Sequence, residues 1–274
     1  MSMTIDDAKV SRPPLPAPTI PSNVLQQFSL KDRICVVTGA SGGIGSAIAE
    51  GYAEAGGHVA LWYNRNPAAV EFAKELEKTH GIKAKAFQVD VGDREAVKKG
   101  IEETVKEFGR IDVFVANAGI PNSKPLLEMP FAEIEELNRV NADSVVYCAR
   151  FAGEVFKKQG SGNLIITSSI SAHIVNVPVD QPIYNATKAY ILHLGRSLAR
   201  EWRHFARVNI VSPGFFHTAM GASDLVQNEA NRMTVLCRQG ETREIKGIYL
   251  YLASDASSFQ TGSDTIIDGG YTLP

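Results

Sequence analysis

Tyr184 and Lys188 lie four positions apart in a stretch of helical character. On an α-helix this spacing places both side chains on one face, about 6 Å apart at their Cβ atoms. A phenol ordinarily loses its proton near pH ~10, and a neighbouring cation favours the phenolate and lowers that pKa. The pair could therefore give a proton to a carbonyl oxygen or take one from an alcohol. A chance pairing on a helix is the alternative, so the rest of the chain must support the catalytic interpretation.

The composition favours one large α/β domain that binds small molecules. The chain has 274 residues, of which 44% are hydrophobic and 21% are charged, enough to bury a substantial core. Its net charge of −2 gives no electrostatic basis for binding nucleic acid or an anionic membrane. No stretch approaches the roughly 20 apolar residues that span a bilayer, and residues 1–20 lack the apolar core of a signal peptide. We therefore expect a cytoplasmic protein.

The cysteines indicate neither a disulfide framework nor a metal site. Cys35, Cys148 and Cys237 form no CxxC pair, and their number is odd. No other cluster of metal ligands is visible, so we expect the protein to bind no metal.

Residues 1–29 predict an arm rather than a domain. The segment is polar at first and then rich in proline, which disfavours helix and favours extended structure. Its prolines are Pro13, Pro14, Pro16, Pro18 and Pro21. The arm could be disordered or lie across a neighbouring subunit, with residues 24–30 docking a short turn onto the body. The catalytic domain is predicted to span residues 30–274.

A glycine-rich turn at residues 39–45 follows an apolar strand predicted at 33–38 and precedes a helix predicted at 46–56. The free backbone amides of such a turn and the positive end of the helix dipole point to one place. This arrangement predicts a binding site for an anion, and a pyrophosphate would fit it.

Strands and helices alternate along the rest of the chain. This alternation predicts a single-domain, Rossmann-type, doubly wound parallel sheet of about seven strands with helices on both faces, and ligands at the carboxyl ends of the strands. The predicted strands are 33–38, 58–63, 83–89, 111–115, 164–167, 207–211 and 265–268. The predicted helices are 46–56, one ending near 80, 93–108, 131–158, one from Tyr184 to about 205, and 241–253.

The residues after the second strand predict a preference for NADP(H). In a doubly wound fold, the residue that closes this strand faces the adenine ribose, and an acidic side chain there binds the free 2′-hydroxyl of NAD. Here Asn64 and Arg65 stand in its place, with Ser41 nearby in the glycine turn. A 2′-phosphate would therefore meet a cation rather than a carboxylate. The alternative is that Arg65 is only a solvated loop charge.

Two segments depart from the regular pattern. Asn141 lies inside the predicted helix 131–158, although asparagine is a poor helix former. We expect it to kink the helix or hold a water there, and the alternative is an exposed surface asparagine. Residues 215–240 lack a clear period and predict a mobile flap.

Five motifs occur in the order and approximate spacing of the short-chain dehydrogenase/reductase family, which the chain resembles from about residue 30 to its end. They are Thr38-Gly39-x3-Gly43-x-Gly45, Asn117-Ala118-Gly119, Ser169, Tyr184-x3-Lys188 and Pro213-Gly214-x3-Thr218. Each motif alone is weak evidence, whereas five in order are specific.

The resemblance implies where NADP(H) binds. At the pyrophosphate and its ribose, the implied residues are Gly39, Gly43 and Ile44, and at the adenine they are Asp90 and Val91. At the nicotinamide-side ribose they are Asn117, Gly119 and Lys188, beside Tyr184. At the carboxamide they are Thr218 and the backbone near Phe216, after Pro213 and Gly214.

The resemblance also implies the catalytic roles. Tyr184 is the implied general acid/base, Lys188 lowers its pKa, Ser169 holds the substrate oxygen, and Asn141 supports a water in a proton relay. Family members commonly have about 12 or 13 residues from the serine to the tyrosine, whereas Ser169 precedes Tyr184 by 15. We prefer Ser169 because it closes a strand and a short insertion fits the connection that follows. Ser168 and Ser171 remain alternatives.

Within the family, the chain is similar to the fungal branch of NADPH-dependent sorbose and L-xylulose reductases, mannitol 2-dehydrogenases and carbonyl reductases. The implied reaction is hydride transfer from NADPH to a ketose or small ketone, or polyol oxidation in reverse. Candidate groups that read sugar hydroxyls are Asn122, Ser123, His173, Gln181 and His217, and an apolar slot could instead be lined by Phe215, Phe216 and Met220.

Two rival functions remain at this stage. One is a reductase of the same fold for acyl-carrier-protein, steroid or polyketide carbonyls. The other is an NADP-binding regulator without chemistry, which would have no reason to keep Ser169, Tyr184 and Lys188 together. The resemblance also implies a homotetramer whose contacts come from the C-terminal strand and the Tyr184 helix.

Overall fold

Seven parallel strands form one sheet in the computed structural model, which describes residues 17–218 and 224–273. The order across the sheet is β3-β2-β1-β4-β5-β6-β7. The strands are β1 Ile34–Thr38, β2 His58–Tyr63, β3 Ala84–Gln88, β4 Val113–Ala116, β5 Asn163–Thr167, β6 Arg207–Pro213 and β7 Asp264–Ile267. The chain reverses its direction across the sheet between β1 and β4, which opens a crevice where their carboxyl ends diverge. The doubly wound fold predicted from the sequence is confirmed.

Helices cover both faces of this sheet. They are α1 Val24–Gln27, α2 Gly43–Glu54, α3 Ala68–His80, α4 Arg94–Phe108, α5 Phe131–Asn138, α6 Ser144–Gln159, α7 Pro182–Glu201, α8 Asp224–Met233 and α9 Thr242–Ala253. One apolar core contains Trp62, Phe114 and Phe156, and the other, on the opposite face, contains Tyr52 and Tyr249. Because both faces are covered, the central strands consist of continuous apolar residues rather than of alternating apolar and polar residues.

The predicted long helix is interrupted where Asn141 lies. Residues Arg139–Asp143 form one π-helical turn between α5 and α6. Asn141 is only 1% exposed, so the alternative of a surface asparagine is wrong. A wide turn of this kind frees backbone groups from the regular ladder and commonly marks a functional site.

The predicted flap contains a regular helix. Within residues 215–240 the structure has α8, and Ala230 on α8 packs with Ile170 and Tyr271 in a third apolar cluster. Few apolar residues at helical spacing precede Ala230, so the sequence pattern did not reveal this helix. Met220 lies outside the described residues.

The described part of the arm, residues 17–29, is mostly exposed. Leu30 is fully buried, and the Phe28 ring centroid lies 6.3 Å from that of Tyr251. The short helix α1 is the predicted docking turn. Among the residues that the structure describes, no helix is long and apolar enough to cross a membrane.

Gly45→Ala is expected to lower the free energy of unfolding by about 1–3 kcal/mol, because a Cβ at position 45 would overlap the Gly39 carbonyl oxygen. Urea denaturation measures this change. Gly42→Ala is the matched control, since a Cβ at position 42 would meet no atom within 4 Å. If Gly45→Ala is as stable as the control, the close approach of the turn and α2 is not the constraint that we describe.

Candidate active site

The glycine-rich turn presents backbone amides at the carboxyl end of β1. Gly39 and Gly43 have positive φ angles of 68° and 57°, a region that favours glycine. Helix α2 begins at Gly43, and in the described chain no side chain caps its first turn at Gly42. Its first amides, including that of Ile44, are therefore available to an anion such as a pyrophosphate.

The turn at residues 117–119 packs directly against the glycine-rich turn. The hydroxyl of Thr38 accepts hydrogen bonds from the backbone amides of Asn117 and Ala118, both at 2.9 Å. The Asn117 side chain donates to the Thr38 carbonyl oxygen at 3.0 Å. Asn117 thus joins the ends of β1 and β4 at the crevice.

Asn141 clamps the segment that follows β4. Its side-chain oxygen accepts from the backbone amide of Ile120 at 2.8 Å, and its side-chain nitrogen donates to the Ile120 carbonyl at 2.9 Å. A Cβ built at Gly119 would lie 3.2 Å from the Asn141 oxygen and 3.6 Å from Lys188 Nζ. The structure therefore brings Gly119, Asn141 and Lys188 to one place.

Tyr184 and Lys188 project from the first turns of α7. Helix α7 begins at Pro182, a residue whose fixed φ suits the first helical position. Lys188 is only 4% exposed, and its ammonium lies 5.6 Å from the Tyr184 ring centroid. Lys188 Nζ donates to the carbonyl of Thr167, the last residue of β5, at 3.1 Å. This hydrogen bond turns the ammonium toward the end of the sheet.

The pKa values of these two groups are set mainly by burial. Burial raises the pKa of Tyr184 above 10, and a hydrogen bond with the Ser169 side chain opposes that rise. Burial lowers the pKa of Lys188 to about 8. The sequence predicted that Lys188 would lower the Tyr184 pKa. In the structure the net direction is upward, because burial of the phenol disfavours its charged form.

Three serines follow β5, and only one of them interacts with Tyr184. Ser168 donates its hydroxyl proton to the Lys188 carbonyl at 2.9 Å. Ser171 accepts from Asn176 at 2.8 Å and from Gln181 at 3.2 Å. The Ser169 side chain makes the hydrogen bond to Tyr184. The geometry therefore favours Ser169 over both alternatives.

The predicted adenosine site lies at the ends of β2 and β3. Arg65 is exposed and forms no ion pair with any described residue. The Asn64 carbonyl accepts from Gln88 at 3.0 Å. Asp90 is held by Arg139, at 3.2 Å, and by the backbone amide of Gly92, at 2.9 Å.

Val91 is 6% exposed. Its side chain therefore packs in the apolar core that contains Trp62 and leaves little free surface beside Asp90.

A cavity of about 340 Å³ opens beside the glycine-rich turn. Its lining includes Ser41, Gly42, Arg243 and Lys246. Both cations come from the first turns of α9, but Lys246 pairs with Glu50 and Glu54 of α2, at 2.6 and 2.8 Å. Arg243 is therefore the side chain that adds positive charge to this lining, near the predicted site of the 2′-phosphate. No sequence pattern pointed to these two residues, because α9 follows α2 by almost 190 residues along the chain.

The segment after β6 reaches back over the glycine-rich turn. A Cβ built at Gly43 would lie 3.4 Å from the Thr218 side chain. Phe216 pairs with Gly240 through an isolated bridge. The backbone amide of Gly214, which follows Pro213, donates to the Ile267 carbonyl at 2.9 Å. Thr218 thus lies near both the turn and the end of β6.

Some of the side chains proposed to contact the substrate are bound to other protein groups, and others are exposed. Gln181 and Asn122 bind other protein groups, Ser171 and the Lys124 amide respectively, and His173 binds Asp264 at 2.7 Å. His217 is half-exposed, Ser123 is exposed, and the Phe215 ring packs on Tyr271.

No group of three or more His, Cys, Asp or Glu residues that could hold a metal is present among the described residues.

The chain belongs to the short-chain dehydrogenase/reductase family. A family model described as Enoyl-(Acyl carrier protein) reductase matches residues 39–272. A sorbose reductase of Candida albicans is 47% identical over 268 residues, which cover 95% of each chain. An NADP-dependent mannitol dehydrogenase of Hypocrea jecorina is 43% identical, over 94% of this chain and 99% of that one.

The solved structures agree with this assignment. The crystal structure of an NADPH-dependent 3-quinuclidinone reductase from Rhodotorula rubra superposes with a TM-score of 0.93 at 48% identity. It covers 96% of this chain and 100% of that one.

The affinity for NADPH is expected to fall as the pH rises through about 8, because Lys188 then loses its proton. The sign follows from the lowered pKa: the ammonium persists below about 8 and is lost above it. Fluorescence titration of NADPH between pH 6.5 and 9.5 measures the change. Lys188→Met should give weak binding with no inflection near pH 8, and a wild-type affinity that stays constant over this range would contradict the prediction.

Proposed function

We propose that the protein transfers a hydride from NADPH to the carbonyl of a ketose or small ketone, and oxidises a polyol or alcohol in the reverse direction. The observation that carries the proposal is the buried Lys188 ammonium 5.6 Å from the Tyr184 ring, with Ser169 beside them. This group lies at the edge of the sheet where the glycine-rich turn offers free amides. The sorbose reductase and the mannitol dehydrogenase that are 47% and 43% identical to this chain support the proposal.

The cofactor is NADP(H), and the residues present fit it. The uncapped start of α2 suits the pyrophosphate, held at Gly39, Gly43 and Ile44. The exposed Arg65, with Ser41 and the cavity beside it, suits a 2′-phosphate. The groups that would receive the adenine are Asp90 and Val91, and those toward the nicotinamide are Asn117, Gly119, Lys188, Gly214 and Thr218. The bound coenzyme supplies the hydride.

Tyr184 is the proposed acid in the direction of reduction. Its raised pKa keeps the phenol protonated at neutral pH, so it can donate a proton to the carbonyl oxygen as negative charge develops there. Ser169 donates a hydrogen bond to the same oxygen and stabilises that charge. Lys188 is cationic below pH of about 8, which favours the tyrosinate left after transfer.

Asn141 is proposed to support proton return to Tyr184. The π-helical turn around it and its clamp on Ile120 hold Gly119 close to Lys188. Backbone carbonyls of a π-helical turn are partly released from the helix ladder. A water bound there could link Lys188 to solvent and restore the phenol proton after each turnover.

A reductase for acyl-carrier-protein substrates is the second candidate, favoured by the description of the matching family model. The named relatives at 43–47% identity instead favour ketoses and polyols. Oxidation of NADPH with fructose, sorbose, xylulose, an aryl ketone and an acyl-carrier-protein thioester separates the two. Binding of NADPH without oxidation by any carbonyl compound would favour a regulator.

We also infer a cytoplasmic homotetramer with an N-terminal arm at residues 1–29 and a catalytic domain at 30–274. The edge strand β7 leaves Ile266 42% exposed, and α7 leaves Tyr190 52% exposed, which suits subunit contacts. The buried free thiols Cys35 and Cys148 suit a reducing compartment. Light scattering tests the assembly: a mass near 29.7 kDa, that of one chain, would contradict it.

Tyr184→Phe is expected to lower kcat for ketone reduction at least 100-fold while the Kd for NADPH stays within about threefold, because the ring remains and the proton is lost. Turnover and fluorescence titration measure the two quantities. Tyr147→Phe, which removes the hydroxyl of a half-buried tyrosine on α6, is the matched control. Turnover of Tyr184→Phe close to that of the control would reject Tyr184 as the acid.

Arg65→Asp is expected to shift the ratio of kcat/KM values for NADPH and NADH at least tenfold toward NADH, because a carboxylate would repel the 2′-phosphate and bind a 2′-hydroxyl. Arg94→Asp changes the charge equally at an exposed site on α4 and serves as control. If both variants keep the wild-type ratio, Arg65 is only a solvated loop charge.

A further inference from the structure

His173, Asp264 and Ser212 form a cluster outside the proposed acid and cofactor sites. His173 Nε2 lies 2.7 Å from one carboxylate oxygen of Asp264, and Ser212 donates its hydroxyl proton to the other at 2.8 Å. The Asp264 side chain is 3% exposed, whereas that of His173 is 27% exposed. The carboxylate is thus buried and held on both sides.

The cluster joins the turn that carries Ser169 to the last two strands. Residues Ile170–Ala172 form a short 3₁₀ turn, with Ser169 at its start and His173 at its end. The Ser169 hydroxyl oxygen accepts from the Ser171 amide at 3.1 Å, and the His173 amide donates to Ile170 at 2.9 Å. Ser169 and His173 are therefore opposite ends of one hydrogen-bonded unit.

The residues that hold this unit, Ser212 and Asp264, belong to strands of the central sheet. Ser212 lies in β6 and is fully buried, and Asp264 begins β7, where it pairs with Ile210 of β6. By contrast, residues 174–181, which follow His173, contain no helix or strand. The bond from His173 to Asp264 thus ties the end of the Ser169 turn to the sheet where this connection to α7 begins.

A buried, hydrogen-bonded charge contributes little net stability, because desolvation offsets the attraction. Its effect is on geometry, and displacement of a reacting group by about 1 Å can cost 100-fold in rate. We propose that His173 is a positioning residue, whose bond to Asp264 holds the Ser169 turn where the Ser169 hydroxyl meets Tyr184. The proposal rests on the proposed reductase function.

His173→Ala is expected to lower kcat for ketone reduction by about 10- to 100-fold, with the KM and Kd for NADPH within about twofold of wild type. His173→Gln is expected to recover most of the rate, because its amide can donate to Asp264. His80→Ala, a partly exposed histidine at the end of α3, is the matched control. Asp264→Asn combined with His173→Ala should cost no more than the larger single effect.

Wild-type kcat in His173→Ala would overturn the proposal, as would additive effects in the double variant. Equal losses of kcat and NADPH affinity in His173→Ala and His173→Gln would assign a scaffold role instead. Failure of the proposed function looks different, since the wild type would then reduce no ketone. In that case hydrogen exchange of the Ser171 backbone amide decides. Exchange that is faster in His173→Ala than in wild type and in His173→Gln would support the proposal that the bond from His173 to Asp264 holds the Ser169 turn. Equal exchange rates would reject it.

Discussion

Burial of the Lys188 amine is the constraint on which the rest of the site depends. A cationic group that is 4% exposed must be hydrogen-bonded or lose its charge. The Thr167 carbonyl at the end of β5 supplies one acceptor, and Gly119 lies close because its lack of a Cβ leaves space. The end of one strand, the turn after another and the face of α7 are therefore held at a common point. The partly buried Tyr184 lies beside it, and burial raises the pKa of its phenol.

A second constraint aligns the anion site with this acid. Thr38 binds the backbone of residues 117 and 118, which ties the end of β1 to the end of β4. The Asn141 clamp then fixes the next residues against α7. Amides for a diphosphate and a protonated phenol consequently stand at fixed positions along one edge of the sheet, an arrangement that suits an extended dinucleotide. Rigid strands and turns do this better than loops could.

Local sequence patterns predicted most of the fold and the candidate residues, because a strand, a glycine-rich turn and the start of a helix each depend on a short continuous segment. Patterns could not predict what depends on distant neighbours. Three serines near β5 look alike in sequence, and only their partners separate Ser169 from the others. The bond from His173 to Asp264 spans 91 positions, and Arg243 reaches the cavity from α9. The direction of the Tyr184 pKa shift depends on burial, which spacing along a helix does not reveal.

The most direct test of the central claim is a crystal structure of the protein with NADP⁺ and a polyol bound. The account predicts that the reacting oxygen of the polyol lies within about 3.2 Å of both the Tyr184 and the Ser169 hydroxyl oxygens, with the diphosphate on the amides at the start of α2. A reacting oxygen beyond hydrogen-bonding distance of Tyr184, or a diphosphate bound away from Gly43, would contradict it.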